Sequence, residues 1–374
     1  PVRNWGDGSF EAVEKITADA VRDTYRVGME ACPACQVRCK KVVELENEYY
    51  KVDRRNGGPE YESLASFGSF LGIDDMAAIC RANELCSLYS LDVISLGGTI
   101  AFAMECFEKE ILTASDTGGI DLRFGNAEAM LQVIELIARR EGIGDILADG
   151  SKKAAERIGR GSEEYSMQVK GVELGMHEPR LKQGLGLIYS VAPNGGDHVV
   201  GLWDTAFTQE GRGMEAARSL GDMDPLPAND LSAAKVSLAK NQHLHRLFTD
   251  SAVTCQFTGW KLHQQVELLR ALTGWDYTEV EALKTAERVA TMGRVFNLRE
   301  GLTAADDQLP KRFFSPTPRG ALKDTAIDPD AMTRAIHTFY GMMGWDPETG
   351  VPTPEKLADL GISWVANEIT SGKS

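Results

Sequence analysis

Three cysteines near the amino end are spaced so that their thiols can share one ligand-binding loop. They occur in the segment Cys32-Pro33-Ala34-Cys35-Gln36-Val37-Arg38-Cys39, a C-x2-C-x3-C pattern. Thiolates at this spacing are soft ligands of the kind that hold iron–sulfur clusters. The pattern therefore predicts a cluster in a protein that moves electrons. A structural zinc knuckle and reactive thiols without a metal are the alternatives.

A cubane cluster needs a fourth ligand, which must come from one of the other cysteines among the seven in the chain. Cys80, Cys86 and Cys106 lie at apolar positions of helical patterns, where cysteine is usually part of the core. Cys255 follows Asp250 in a stretch between two helical patterns. Because a loop cysteine is freer to bind a metal, we expect Cys255 to be the fourth ligand.

Carboxylates and one histidine are further candidates for chemistry. Glu60 and Glu62 flank a tyrosine in the Gly-Gly-Pro-Glu-Tyr-Glu segment at 57–62. A carboxylate buried near a cofactor could move protons, whereas a solvated acidic loop is the alternative. His198 follows Asn-Gly-Gly-Asp and could act as an acid or base, although a lone histidine is more often structural. Asp92 precedes an apolar stretch, where it could cap a helix or accept hydrogen bonds from a heterocyclic ligand.

Helical periodicity dominates the elements that must position these residues. Apolar residues recur at helical spacing in the segments 12–29, 74–86, 98–109, 127–140, 149–158, 231–248, 262–272 and 277–298. The best strand signals are 42–45 and 165–169. We predict a mainly α, multihelical fold with two domains. Residues 1–170 carry the cysteine loop, and residues 171–374 carry Cys255.

The bulk composition excludes several classes of protein. The net charge of −15 argues against binding to nucleic acids and to anionic membrane surfaces. The most apolar run, 93–104, is shorter than the roughly 20 residues of a membrane-spanning helix. An odd number of cysteines without a signal peptide favours a reducing compartment, so we expect a cytoplasmic protein. The chain starts at Pro1 without a methionine, which suggests a piece of a longer protein.

Taken together, these segments resemble the aldehyde:ferredoxin oxidoreductase family of tungsten or molybdenum pterin enzymes. Besides the cysteine triad, the matching segments in family order are 58–62, 82–86, 91–95, 101–105, 140–150, 170–171, 179–180, 197–198, 250–255, 296–297 and 344–346. The resemblance spans nearly the whole chain but covers only the family's two C-terminal helical domains, 2 and 3. It implies that the family's N-terminal β-rich, pterin-binding domain is missing, as in a truncated or cleaved chain.

The resemblance also implies ligands for both cofactors. Cys32, Cys35, Cys39 and Cys255 match the ligands of a [4Fe-4S] cluster. Family pterin motifs have an aspartate, two spacers, Gly-Leu, and then Asp or Cys. The first copy here is 87–92, with serines at both the aspartate and the glycine positions, so that Leu91 and Asp92 remain. The second copy is 250–255, in which Asp250 and Cys255 remain and Val-Thr replaces Gly-Leu.

The implied reaction is the oxidation of an aldehyde to a carboxylic acid at a tungsten or molybdenum bis-pterin centre. Glu62 matches the family's active-site glutamate, with Glu60 as the second choice, and would take a proton from attacking water. His198 matches the histidine near the metal and could hold the oxyanion. The family's lysine two residues after this histidine is replaced by Val200.

Electrons would pass through the cluster to ferredoxin, for which Arg38, Lys40 and Lys41 are a candidate basic docking patch. The expected partners are therefore ferredoxin, an aldehyde substrate and the missing domain of the same protein. A homodimer is a further expectation. One alternative is an electron-transfer or reductase subunit of the same superfamily that acts on another substrate. Another is a non-catalytic helical domain stabilised by zinc.

Overall fold

The protein is mainly helical, as the sequence predicts. The computed structural model describes residues 1–371, with side chains for 1–369. Fifteen α-helices and the short 3₁₀ turns together account for 53% of the described residues, whose strands form three two-stranded antiparallel sheets. The predicted fold class is confirmed.

The chain forms two compact units. Unit 1 contains Pro1–His177 and Pro310–Thr325, and unit 2 contains Glu178–Leu309 and the chain from Ala326 onward. The chain therefore passes from one unit to the other at three places. The domains 1–170 and 171–374 expected from the sequence stay a prediction.

Unit 1 holds the first seven helices and every strand found in residues 1–371. The helices are α1 Ala18–Thr24, α2 Tyr61–Phe67, α3 Met76–Tyr89, α4 Val93–Glu108, α5 Ala127–Arg139, α6 Ile143–Leu147 and α7 Gly150–Ile158. The strands are β1 Arg26–Glu30, β2 Lys40–Val43, β3 Leu45–Glu46, β4 Lys51–Val52, β5 Gln168–Val169 and β6 Val172–Glu173. The sheets pair β1 with β2, β3 with β4, and β5 with β6.

The segment predicted as one helix over 12–29 is divided in the structure. A 3₁₀ turn at Val13–Ile16 and the short α1 are followed by β1, which pairs antiparallel with β2. The helix prediction is wrong after Thr24, because pairing with β2 outweighs the local helical spacing. The two paired strands enclose the cysteine loop and hold both of its ends.

Close packing of α2 on α4 fixes the helix that carries Glu62. A Cβ at Gly97 of α4 would lie 2.6 Å from the Cβ of Ser66 in α2, and one at Gly98 would lie 2.7 Å from Cγ of Glu173. The glycines therefore allow an approach that no larger residue permits. Glu173 is buried, and its carboxylate accepts hydrogen bonds from the Ser151 amide and the Thr99 hydroxyl.

Unit 2 contains the remaining eight helices. They are α8 Gln183–Val191, α9 Arg212–Arg218, α10 Ala233–Ser251, α11 Leu262–Thr273, α12 Glu279–Arg299, α13 Pro329–Met342, α14 Pro354–Asp359 and α15 Ala366–Ser371. The central α10 packs on α8, α12 and α13. A buried ion pair joins Lys235 of α10 to Asp204 at 2.9 Å, and Asp204 also accepts from the amides of Gly184 and Leu185. This network fixes α10 against the start of α8.

No single helix among the described residues is both long and apolar enough to cross a membrane. Helices α3 and α4 satisfy the length and composition requirement only as a pair, and a bend of 119° separates them.

Candidate functional site

The cysteine loop is a connection of the β1–β2 hairpin with a defined backbone. The Cys35 amide donates to the Cys32 carbonyl at 3.0 Å, and Ala34 has a φ of 59°. With Pro33 before Ala34, these are the features of a type II turn. Arg38 donates to the Met29 carbonyl at 2.9 Å and ties the loop to β1. The loop is thus shaped by backbone and arginine contacts, which leaves its sulfur atoms available.

The thiols of this loop differ from the core thiols of unit 1. Cys32 is exposed, Cys35 and Cys39 are half-buried, and none of the three forms a disulfide. Cys80, Cys86 and Cys106 are buried, and burial raises the pKa of each of these thiols to about 12. These three thiols therefore stay protonated in the core and are poor metal ligands.

Cys255 lies in unit 2, in an exposed loop that follows α10. It is the residue before the 3₁₀ turn Gln256–Thr258, and its carbonyl accepts from the Thr258 hydroxyl. Like the three cysteines of the hairpin loop, it is a free thiol outside the core. The assignment of these four residues as cluster ligands stays a prediction.

The segment at 57–62 packs directly on β2, the strand that follows Cys39. Gly57 has a φ of 74°, and a Cβ at Gly58 would lie 2.8 Å from Val43 Cγ1. Lys41 of β2 forms an ion pair with Glu60, whose side chain is more than half exposed. The structure thus brings Glu60 beside the strand of the cysteine loop and turns it away from the interior.

Glu62, in contrast, is largely buried, and both of its carboxylate oxygens are engaged. Oε2 accepts from the Met176 amide at 2.9 Å, and Oε1 lies 3.0 Å from His177 Nε2. The preceding Tyr61 donates its hydroxyl to the Met176 carbonyl at 2.7 Å. Residues 61 and 62, at the start of α2, therefore hold residues 176 and 177 through three polar contacts.

His177 is the functional candidate that the sequence analysis missed. It is 8% exposed, and its ring stacks on Tyr61 with centroids 5.0 Å apart. In the sequence it is an isolated histidine after β6, and it has no metal-ligand spacing to another histidine. The only signal was its place two residues before the Pro179-Arg180 segment that carried the family resemblance.

The buried carboxylate of Glu84 gives the matching segment 82–86 a structural role. Glu84 of α3 is 3% exposed and accepts from the Asp53 amide, from Asn56 Nδ2 and from Arg81. These bonds fix the 3₁₀ turn Arg54–Asn56 that leads into Gly57. Glu84 thus positions the segment that carries Glu60 and Glu62.

His198 lies in unit 2, in a loop that is tied to α10. Asp197 accepts from the Val199 amide and from the side chain of Asn194, both at 2.7 Å. His243 of α10 contacts the Val200 carbonyl through Nδ1 at 2.8 Å. The ring of His198 meets Trp203 edge-on, with centroids 6.0 Å apart. The loop around His198 is therefore ordered by short-range polar contacts and by α10.

Asp250, near the end of α10, shares an electrostatic environment with this loop. Partial burial raises the pKa of Asp250, and the negative charge of Asp197 raises it further. Arg246, one turn earlier, partly opposes this effect. The structure thus brings two residues predicted from separate segments, Asp250 and His198, into the same part of unit 2.

The two predicted pterin motifs end their helices in the same way. At the end of α3, Ser90 has a φ of 56° and the Leu91 amide donates to the Cys86 carbonyl at 2.9 Å. At the end of α10, Val253 has a φ of 53° and the Thr254 amide donates to the Thr249 carbonyl at 3.0 Å. Each is a Schellman-type ending in which a left-handed residue occupies the motif's glycine position.

Asp92 caps α4, which was one of the two roles considered for it. Its Oδ1 accepts from the Ser95 amide at 2.7 Å, and its side chain is exposed. The first motif therefore joins two helices: α3 ends at Tyr89 and α4 begins at Val93, with Leu91 and Asp92 between them. A cofactor-binding role for Leu91 and Asp92 stays a prediction.

Comparison with known families gives the decisive observation. The family model for "Aldehyde ferredoxin oxidoreductase, domains 2 & 3" matches residues 1–362. The chain belongs to the aldehyde ferredoxin oxidoreductase family. The match covers the same two domains that the sequence motifs indicated.

Similar proteins of the aldehyde ferredoxin oxidoreductase family span more than this chain. A tungsten-containing aldehyde ferredoxin oxidoreductase from Pyrococcus furiosus is 37% identical over 97% of the chain and 57% of its own length. The corresponding protein of Thermococcus kodakarensis is 36% identical over the same shares. The chain thus spans somewhat more than half the length of these relatives.

Two more distant proteins extend the comparison. The aliphatic sulfonate oxidoreductase, WOR-like subunit, of Pyrococcus furiosus is 30% identical over 99% of the chain and 56% of its own length. The active-site complex BamBC of benzoyl coenzyme A reductase has a similar fold, with a TM-score of 0.70 and 23% identity. That likeness covers 94% of this chain and 55% of the other, and it supports the fold alone.

Proposed function

We propose that the protein containing this chain oxidises an aldehyde to a carboxylic acid at a tungsten or molybdenum bis-pterin centre. Water supplies the new oxygen, and the conversion of the aldehyde and one water molecule into the carboxylic acid releases two electrons and two protons. The electrons pass through a [4Fe-4S] cluster to ferredoxin. The observation that carries the proposal is the family membership of a chain that keeps three free, accessible thiols on one loop.

The residues present suit a cluster. The loop cysteines and Cys255 are free thiols outside the core, and thiolates are the ligands that iron–sulfur clusters require. The two helix endings carry Leu91, Asp92 and Asp250, which are proposed to hold the pterins. When bound, the pterin metal supplies a two-electron acceptor and a Lewis acid for the carbonyl oxygen, and the cluster accepts electrons singly.

Glu62 is proposed as the proton acceptor for the attacking water. It is the more protected of the two predicted carboxylates, and its orientation is held by contacts to Met176 and His177. Glu60 is engaged by Lys41 at an exposed position and suits this role less well. His198 is proposed to donate a hydrogen bond to the developing oxyanion.

The exposed side of the cysteine loop is the proposed exit for electrons. Cys32, Arg38 and Lys40 are exposed there, whereas Lys41 forms an ion pair with Glu60. Arg38 keeps its charge when it bonds the Met29 carbonyl, so Arg38 and Lys40 are the proposed basic contacts for an acidic ferredoxin.

A second candidate function is oxidation or reduction of another substrate within the same superfamily. The serines at 87 and 90 depart from the pterin motif, and one relative at 30% identity is named for sulfonates rather than aldehydes. A cluster-bearing electron-transfer subunit belongs to the same alternative. Aldehyde-dependent reduction of a viologen dye by the full-length protein separates these functions.

The cluster is tested by anaerobic metal analysis and EPR of the reduced full-length protein. We expect about four irons per chain and a reduced-cluster signal. Both should be lost in Cys255→Ser and kept in Cys106→Ser, the matched control in the core. Zinc without iron, in protein never exposed to air, would contradict the redox function.

The proton acceptor is tested by replacing each glutamate in turn. Glu62→Gln should lower kcat by about 100-fold or more, because a general base contributes on that order. Glu60→Gln breaks only an exposed ion pair and should change kcat by less than about threefold. If Glu60→Gln is the more damaging change, the two roles are assigned the wrong way round.

A further inference from the structure

We propose that His177 is the positioning residue for Glu62, and that Tyr61 holds the imidazole in place. The inference rests on the proposed role of Glu62 as the proton acceptor. It assigns His177 a function that acts through the carboxylate and not through contact with the substrate.

The contacts to Glu62 leave its carboxylate little rotational freedom. One oxygen accepts from the Met176 amide at 2.9 Å, and the other lies 3.0 Å from His177 Nε2. Because Met176 and His177 are adjacent residues, the backbone sets the spacing of the hydrogen bond to one oxygen and the close imidazole contact to the other. The His177 amide in turn donates to the Gly175 carbonyl at 2.6 Å, which turns the chain at this point. Removal of the imidazole would take away the contact at Oε1 and leave the Met176 hydrogen bond at Oε2 in place.

Tyr61 fixes the imidazole that makes this contact. The two rings stack at 25° with their centroids 5.0 Å apart, and the tyrosine hydroxyl donates to the Met176 carbonyl at 2.7 Å. Desolvation of the hydroxyl and the charge of Glu62 raise the pKa of Tyr61 to about 12. The hydroxyl therefore remains a donor near neutral pH. Tyr61 and Glu62 together clamp the segment 175–177.

A fixed carboxylate matters more for catalysis than for stability. A glutamate side chain has three rotatable bonds, and proton transfer needs the acceptor oxygen within hydrogen-bond reach of the water. A misplacement of about 1 Å can cost on the order of 100-fold in rate. Loss of the His177 contact should therefore appear mainly in kcat.

The experiment compares three variants of the full-length, cofactor-loaded protein. His177→Leu removes the donor, His177→Gln keeps an amide that can donate to Glu62, and His243→Leu removes a buried histidine that bonds a carbonyl in unit 2. We measure kcat and KM, the midpoint of thermal unfolding, and hydrogen exchange in the peptide that contains Met176. The exchange rate reports on the hydrogen bond from the Met176 amide to Glu62 and does not require turnover.

The proposal predicts a selective and reversible defect. His177→Leu should lower kcat by about 10- to 100-fold with KM changed less than about twofold, since the loss is confined to the transition state. It should also speed exchange of the Met176 amide. His177→Gln should restore most of kcat and slow the exchange again. His243→Leu should lower the unfolding midpoint and leave Met176 exchange unchanged.

Two results would overturn the proposal. One is a His177→Leu enzyme whose kcat stays within about threefold of the parent, below the effect expected for a displaced base. The other is His177→Gln behaving like His177→Leu in both kcat and exchange. The Glu62→Gln variant separates this failure from failure of the proposed function. If Glu62→Gln retains full activity, the role of Glu62 is wrong, while Met176 exchange still reports whether His177 holds the carboxylate.

Discussion

Val253 has the conformation least suited to its residue type in unit 2, and replacing it with glycine should stabilise the protein. Its φ is 53°, and its side chain is 92% exposed at the end of α10. A left-handed conformation costs a residue with a Cβ about 1–2 kcal/mol, and the β-branch of valine puts it toward the upper end. Because the side chain is exposed, its removal loses almost no buried area.

The gain is reduced by the flexibility of glycine in the unfolded chain. That term is about 0.5–1 kcal/mol, so Val253→Gly should raise the free energy of unfolding by about 0.5–1.5 kcal/mol. For a unit of this size the thermal midpoint should rise by about 1–6 °C. Ser90→Gly has the same backbone geometry and should give a smaller gain, since serine lacks the second branch carbon.

The assay is thermal and urea unfolding followed by circular dichroism, with Val280→Gly as the matched control. Val280 is 69% exposed in the first turn of α12, where glycine should lower stability by about 0.5 kcal/mol or less. Iron content should be unchanged in Val253→Gly, because Cys255 is untouched. A Val253→Gly protein that is less stable than the parent would refute the reasoning from backbone strain.

Three further changes test the packing and electrostatics. Gly97→Ala should cost about 1–3 kcal/mol, because α2 and α4 are too close for a Cβ, whereas Gly341→Ala in α13 has open space and should gain about 0.5–1 kcal/mol in chemical denaturation. Burial lowers the pKa of His245 to about 4. As the pH falls from 6.5 to 4, His245 therefore binds a proton in the unfolded chain but not in the folded chain. His245 should contribute at most about 3 kcal/mol to the loss of stability over that window, and the loss should be smaller in His245→Gln but unchanged in the exposed control His337→Gln. Glu84→Leu should cost about 2–4 kcal/mol because the half-buried amide of Asp53 and side chain of Asn56 lose their acceptor, and a thermal shift within experimental error would contradict the anchoring role of Glu84.

The features that the sequence predicted correctly are those that depend on residues close together in the chain. Helix α3, predicted from the helical spacing at 74–86, begins at Met76 after Asp75, whose side chain accepts from the Ala77 and Ala78 amides. Helices α10, α11 and α12 follow from 3.6-residue periodicity and end within a few residues of the predicted limits. The family is also local information, because its motifs are short and occur in a fixed order.

Only the tertiary structure shows which contacts fix the candidate residues and how their side chains are oriented. β1 is a strand because β2, which follows the cysteine loop, supplies its hydrogen-bond partners. Glu60 and Glu62 both flank Tyr61 in the sequence. In the structure Lys41 pairs with Glu60 at the surface, whereas Met176 and His177 hold the largely buried Glu62. The partner of Tyr61 is 115 residues away in sequence, a separation that no local pattern spans. The types and spacing of the reactive residues could therefore be derived from the chain, but the orientation of Glu62 depends on which distant segment packs against α2.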